Sequence, residues 1–217
     1  MLRAENLHKS FGDLPILKGI DLYVKKSEVI SIVGSSGAGK TTLLQILGTL
    51  DKPDQGLLQI DGINPFDLNQ KKISEFRNKS IGFIFQSHQL LPEFSTIENV
   101  MLPSLIKGVS KKQAYEEAYK LLELLKLDSR IQHKPSELSG GEQQRVAVCR
   151  SLINKPQIIF ADEPSGNLDS KNAQELHELF FFLRKELHQT FVIVTHNEIL
   201  ANMADRKIII KDGILSK

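Results

Sequence analysis

The sequence predicts an α/β fold with a mostly parallel core sheet, an N-terminal antiparallel β part and an inserted helical subdomain. Three observations predict it. A compact apolar run, Val29-Ile30-Ser31-Ile32-Val33, leads directly into a glycine-rich loop and then into apolar residues at the helical positions 43, 44 and 47. From residue 157 onward, short apolar strands alternate with helical patterns, the rhythm of a parallel sheet covered on both faces. Between these two parts, residues 87–155 show helical periodicity instead.

In chain order, Leu2 to Leu7 is a strand, and Phe11-Gly12-Asp13-Leu14-Pro15 is a turn by its Gly, Asp and Pro. Leu17 to Val24 alternates loosely as a second strand. Gly56 to Asp61 and Ile81 to Phe85 are further strands. Lys111 to Leu127 is an amphipathic helix with Ala114, Ala118, Leu121, Leu122 and Leu125 on one face, and another helix starts near Ser139. The remaining elements are a strand over 157–162, a helix over 171–187, a strand over 191–195, a helix over 197–203 and a strand over 207–210. One domain over 1–217 is expected, with 1–86 and 156–217 as its nucleotide-binding core and 87–155 as the helical subdomain. In Phe180-Phe181-Phe182, only Phe180 joins the helical stripe of Leu176, Leu179 and Leu183, so the other two are expected to pack against a neighbouring element.

Composition narrows the class. A length of 217 residues with 41% hydrophobic and 25% charged residues is ordinary for a globular domain with a sizeable core. A net charge of +2 is too small to make nucleic acid or an anionic membrane the main partner. The single cysteine, Cys149, excludes an internal disulfide and fits a reduced compartment. The N-terminal residues lack the apolar stretch of a secretory signal, and no apolar run approaches the ~20 residues a membrane-spanning helix needs.

Gly34-Ser35-Ser36-Gly37-Ala38-Gly39-Lys40-Thr41 matches G-x-x-x-x-G-K-[ST] without a gap, with a strand before it and a helix after. Such a loop turns backbone N–H groups inward around phosphates, and the helix dipole favours the same anion. Lys40 is placed for the β- and γ-phosphates and Thr41 for Mg²⁺. The strand Ile158–Asp162 ends in an acid suited to water-mediated Mg²⁺ coordination. Glu163, one residue further, can reach an attacking water as general base. Ser139-Gly140-Gly141-Glu142 is a capping box whose two glycines cost helix stability, and close approach to a phosphate would justify that cost.

Together with Leu138-Ser139-Gly140-Gly141-Glu142-Gln143, the P-loop chain resembles the ATP-binding cassette (ABC) family over residues 1–213. The resemblance implies a P-loop NTPase fold, ATP and Mg²⁺ as ligands, and a dimer in which each signature segment completes the partner's ATP site. By the same resemblance, ATP would be contacted by Phe11, Gly34, Ser35, Ser36, Gly37, Ala38, Gly39, Lys40, Thr41, Thr42, Ser139, Gly140, Gly141, Glu142 and Asp169. Glu163, His196, Lys40 and Gln86 would be catalytic, and Thr41, Gln86 and Asp162 would hold the metal. Phe11 stands where an aromatic stacks on adenine, with a core Phe as the competing reading.

Leu47-Gly48-Thr49-Leu50-Asp51, His88-Gln89-Leu90-Leu91-Pro92-Glu93-Phe94 and Gly166-Asn167-Leu168-Asp169 resemble the lipoprotein-releasing type in particular. That type implies membrane permease subunits of the LolC/LolE kind as partners, no nucleic acid, and a peripheral place on the cytoplasmic side of the bacterial inner membrane. Gln143-Gln144-Arg145 is also similar to the FtsE-like cell-division and MacB-like export ATPases. DNA-handling ABC ATPases share the motifs, but they carry a long coiled coil or zinc modules ahead of the signature. Here that stretch holds neither long heptads nor a cysteine pair.

Overall fold

A computed structural model describes residues 1–216 and contains two sheets. The first has three antiparallel strands in the order β2-β1-β4, formed by β1 (Leu2–Phe11), β2 (Leu14–Val24) and β4 (Gln55–Ile60). The second has six strands: β3 (Val29–Val33), β5 (Ile81–Phe85), β6 (Ile158–Asp162), β7 (Thr190–Val194), β8 (Arg206–Lys211) and β9 (Ile214–Ser216). Its order is β5-β6-β7-β3-β8-β9, parallel except for the last pair. The mostly parallel core sheet and the N-terminal antiparallel part are therefore both present.

Continuous apolar runs in the central strands follow from burial on both faces. Ile159, Ala161, Phe191 and Ile193 face one core; Ile158, Phe160, Val192 and Val194 face the other. The second core lies between the two sheets and includes Leu43, Leu44, Ile46 and Leu47 of helix α1 (Lys40–Leu47). The first core is covered by α3 (Thr96–Ile106), α4 (Lys111–Leu124), α5 (Gly140–Leu152) and α6 (Ser170–Leu187). Helices α2 (Gln70–Ser80) and α7 (Glu198–Met203) complete the set. Among the described residues, no helix is long and apolar enough to cross a membrane.

Differences from the expected elements have local causes. The amphipathic helix ends at Leu124 because Lys126 turns left-handed at φ 59°; Leu125 and Leu127 are still buried, but beyond the helix. Phe180 is buried against Phe191, with ring centroids 5.1 Å apart, and Phe181 packs at the edge of the same core. Phe182, by contrast, is exposed, so the packing expected of it is not found.

Candidate functional site

Register brings the motif residues to one edge. Val194 pairs with Ile32 on one side and with Asp162 on the other, and Asp162 pairs with Phe85. The residues that follow these strand ends are Gly34, Gln86, Glu163 and Thr195-His196. They emerge together at the carboxyl end of the parallel sheet, where open α/β sheets bind ligands. Strand β7 lies between β3 and β6, so the acidic strand end faces the P-loop across one intervening strand.

At the start of α1, Gly39 has φ 99°, which places it in the left-handed region that glycine adopts freely. No side chain caps this helix start, so its first amides are available to an anion. Lys40 Nζ donates to the carbonyls of Gly34 and Ser35, 2.9 Å to each, and so lies folded over the loop.

A cleft of about 370 Å³ brings Thr41, Gln86, Asp162 and Glu163 together, with Gln45 and Phe85 in its wall. Burial pushes the Asp162 carboxyl above its usual value; Glu163 adds to this, while the Thr41 hydroxyl and Lys40 oppose it. Its Oδ1 is buried without a hydrogen-bond partner. Glu163 has φ 44°, an uncommon conformation for a residue with a side chain, and its N–H is tied to the Val194 carbonyl at 2.9 Å. Glu163 Oε2 accepts from the His196 backbone N–H at 3.1 Å and lies 2.9 Å from His196 Nδ1. A carboxylate only accepts, so the imidazole donates through Nδ1 and Glu163 Oε1 is left free.

The signature segment lies elsewhere. Ser139 caps α5 through a complete capping box: Glu142 Oε2 accepts from the Ser139 N–H and Oγ–H, 2.8 Å each. Arg130 Nε donates to Glu142 Oε1 at 2.9 Å. The Glu142 carboxylate is therefore fully engaged by protein groups. A side chain at Gly141 would collide with the Asn172 side chain on α6 unless that side chain moved, so the present packing favours glycine here apart from any approach to phosphate. A side chain at Gly140 would meet only Leu168, at an ordinary 3.6 Å, so Gly140 has no such packing role. Asp169 caps α6, accepting from the Asn172 N–H at 2.9 Å.

Phe11, at the end of β1, is 55% exposed with Lys9 Nζ 5.4 Å from its ring centroid; exposure of that degree rules out the core reading. Arg130, Asn172 and His177 also support the site, and sequence reasoning missed them; the sequence marks Asn167 only as part of the Gly166–Asp169 run and does not foreshadow its contact with Gln86. Arg130, Asn167 and His177 meet partners 12 to 81 residues away, at no spacing a motif would mark, whereas Asp169 and Asn172, three apart, have the N-cap spacing that could have marked Asn172.

The anion-ready helix start, the buried carboxylate and the oriented Glu163 beside it define a P-loop enzyme built to cleave a nucleotide phosphate. The family model described as "ABC transporter" matches residues 17–166, and the chain belongs to that family. It is an ATPase whose full length aligns with relatives named "Lipoprotein-releasing system ATP-binding protein LolD". One from Bacteroides thetaiotaomicron is 58% identical and covers all of both chains; one from Bacteroides fragilis is 60% identical over 98% of this chain and 99% of its own. Among solved structures, the dimeric bacterial ABC transporter cassette MJ0796 is 39% identical with a TM-score of 0.91, over 100% of this chain and 97% of its own. The same cassette in a post-hydrolysis state bound to ADP and Pi gives 0.90 over the same shares.

Arg130 and the Ser139 N–H hold the Glu142 carboxyl at about 2, down from 4.5. A depressed carboxylate contributes stability above its unfolded value and loses it as pH falls toward the folded one. The stability gap between wild type and Glu142→Gln should therefore be full at neutral pH, shrink below about pH 4.5 and close near pH 2. Denaturant midpoints measured along that pH range check it; a gap independent of pH would show that the charge contributes nothing.

Proposed function

We propose that this chain is the ATP-hydrolysing subunit of a lipoprotein-releasing transporter, acting as a homodimer that closes on two ATP molecules. One observation carries the reading: the site is split. Thr41, Gln86, Asp162 and Glu163 share a cleft, whereas Ser139 and its glycines form a separate helix start that does not line it. Two copies related by a twofold axis would bring each signature helix to the other's P-loop. Asp169, at the start of α6, would touch the opposite subunit, and Phe11 would stack on adenine.

Mg²⁺ fits the cleft. The buried Asp162 Oδ1 has no partner, and burial already disfavours its bare charge. Among the described residues, no group of three His, Cys, Asp or Glu side chains could hold a metal. A cation here would rest on one carboxylate with hydroxyl, amide and phosphate oxygens, a set that suits Mg²⁺. Thr41, Asp162 and Gln86 would hold it, and the ion would neutralise charge on the phosphates. The protein does the rest. Lys40 and the amides of residues 34–42 bind the phosphates; Glu163 Oε1 takes the proton of the attacking water; His196 keeps Oε2 occupied and Glu163 aimed. Glu142 serves Ser139 by holding its cap, and the amides of Gly140 and Gly141 face the partner's ATP.

The permease, with subunits of the LolC/LolE kind, would dock beside the loop that follows Gln86. A cleft of about 380 Å³ opens there, lined by Arg77, Phe83, Phe85, Gln89, Pro103 and Arg150. Leu91, Phe94 and Ile106 are exposed nearby along the helical subdomain of residues 87–155. On this reading the chain would sit at the cytoplasmic face of the inner membrane, held there by the permease. Support for lipoproteins as cargo is the full-length identity to the LolD relatives. Tagged chain recovered from detergent-solubilised membranes should bring integral permease subunits with it, and its depletion should leave outer-membrane lipoproteins in the inner membrane. Recovery with nucleic acid and no membrane subunit would refute the proposal.

A further inference from the structure

Gln86 and Asn167 lie on different loops, 81 residues apart, and grip each other by two hydrogen bonds. Asn167 Nδ2 donates to the Gln86 backbone carbonyl at 3.2 Å, and Gln86 Nε2 donates to Asn167 Oδ1 at 2.9 Å. The first bond decides the second. A backbone carbonyl can only accept, so the nitrogen of the Asn167 amide must point at it. Its oxygen then faces the Gln86 side chain and can take only the nitrogen of that amide. Gln86 is left with Oε1, an acceptor, for the cleft it lines with Thr41, Asp162 and Glu163.

The grip is held at close range. A side chain at Gly166 would come within 2.8 Å of Gln86 Nε2. The loop that carries Asn167 is itself braced. The Gly166 N–H bonds to the Glu163 carbonyl at 3.0 Å and the Leu168 N–H to the Ser165 carbonyl at 3.1 Å. Ser165 Oγ is 3.0 Å from Nε2 of the buried His177, and Asp169 caps α6. Asn167 is thus presented in a fixed place by a loop that begins at Glu163.

We infer that Asn167 is a positioning residue that orients the Gln86 side-chain amide with its oxygen, not its nitrogen, toward the cation site. The inference rests on the proposal that Gln86 helps hold the metal. A carbonyl-type oxygen is a ligand for a hard cation, whereas an amide N–H₂ in that place would be repelled by it. Free in solution, a glutamine amide samples both orientations; the Asn167 contact removes one of them. Groups behind a metal ligand tune its affinity in this way.

Mn²⁺, bound together with a non-hydrolysable ATP analogue, serves as the probe, with free Mn²⁺ read by electron paramagnetic resonance. Asn167→Ala should weaken Mn²⁺ binding roughly tenfold. Affinity for the analogue without metal should be unchanged. In a Gln86→Ala background, Asn167→Ala should add nothing further. Asn167 is exposed, so the substitution removes two hydrogen bonds and no core packing. Wild-type Mn²⁺ affinity in Asn167→Ala, with weakening in Gln86→Ala, overturns the inference and leaves the metal role of Gln86 standing. Equal weakening by Asn167→Ala in both backgrounds overturns it too, because Asn167 would then act through something other than Gln86. If Gln86→Ala itself binds Mn²⁺ normally, the reading of Gln86 as a metal-facing residue falls first.

Discussion

Glu163→Gln should bind ATP with an affinity within about threefold of wild type, dimerise on it, and turn it over roughly 10² to 10⁴ times more slowly. The substitution keeps the size of the side chain and an oxygen for the His196 N–H groups that now meet Oε2. It removes only the ability to accept a proton from water. The proposed phosphate contacts do not change, because Lys40 and the α1 amides are separate from Glu163. With hydrolysis blocked, ATP should trap the closed dimer, visible as a doubled mass by light scattering. Single-turnover kinetics would then place the loss in the chemical step. Turnover near the wild-type rate would remove Glu163 from the role of base.

The strained backbone at Glu163 is what aims its side chain. At φ 44° the residue is held by its own N–H bond to Val194 and by the next strand end, so the carboxylate is aimed before substrate arrives. His196 supplies two of the contacts that maintain this aim, and both fall on one oxygen. A pre-aimed base requires little reorganisation in the transition state, which is where electrostatic catalysis gains its advantage.

Much of this was legible in the sequence because the chemistry uses contiguous runs. The P-loop, the acidic strand end at Asp162-Glu163 and Thr195-His196 each sit within a few residues of a buried strand, so pattern and function coincide. What escaped notice lacks such a pattern. Helix α2 fully buries only Ser80, and its apolar stripe is just Ile73 and Phe76, too short to stand out in the sequence. Helix α3 is apolar nearly all round and contains Pro103, normally a helix breaker; its capping box, Ser95 with Glu98, was the signal that could have found it. The three-residue β9 is too short for alternation to appear. The contacts that orient the site, Asn167 on Gln86, Arg130 on Glu142 and Asn172 against Gly141, join distant segments, and only the folded chain brings them together.

The split site makes a stronger demand than any single substitution. Lys40→Ala removes the cation that sits over the P-loop, and Ser139→Asp keeps an N-cap acceptor while setting a negative charge against the partner's phosphate. Arg130 remains in place to hold Glu142 in the second variant. Each variant alone should lose nearly all ATPase activity, since both sites of its homodimer lack one half. A heterodimer of the two is different. One of its sites combines the intact Lys40 of the Ser139→Asp chain with the intact Ser139 of the Lys40→Ala chain; the other site lacks both. An equal mixture forms heterodimers for about half of all dimers, so at most about a quarter of wild-type sites are restored under the twofold arrangement. Steady-state ATPase assays across mixing ratios should rise to a maximum near equal amounts. If the mixture stays as inactive as its components, or if either variant alone retains wild-type activity, the signature helix does not complete the partner's site.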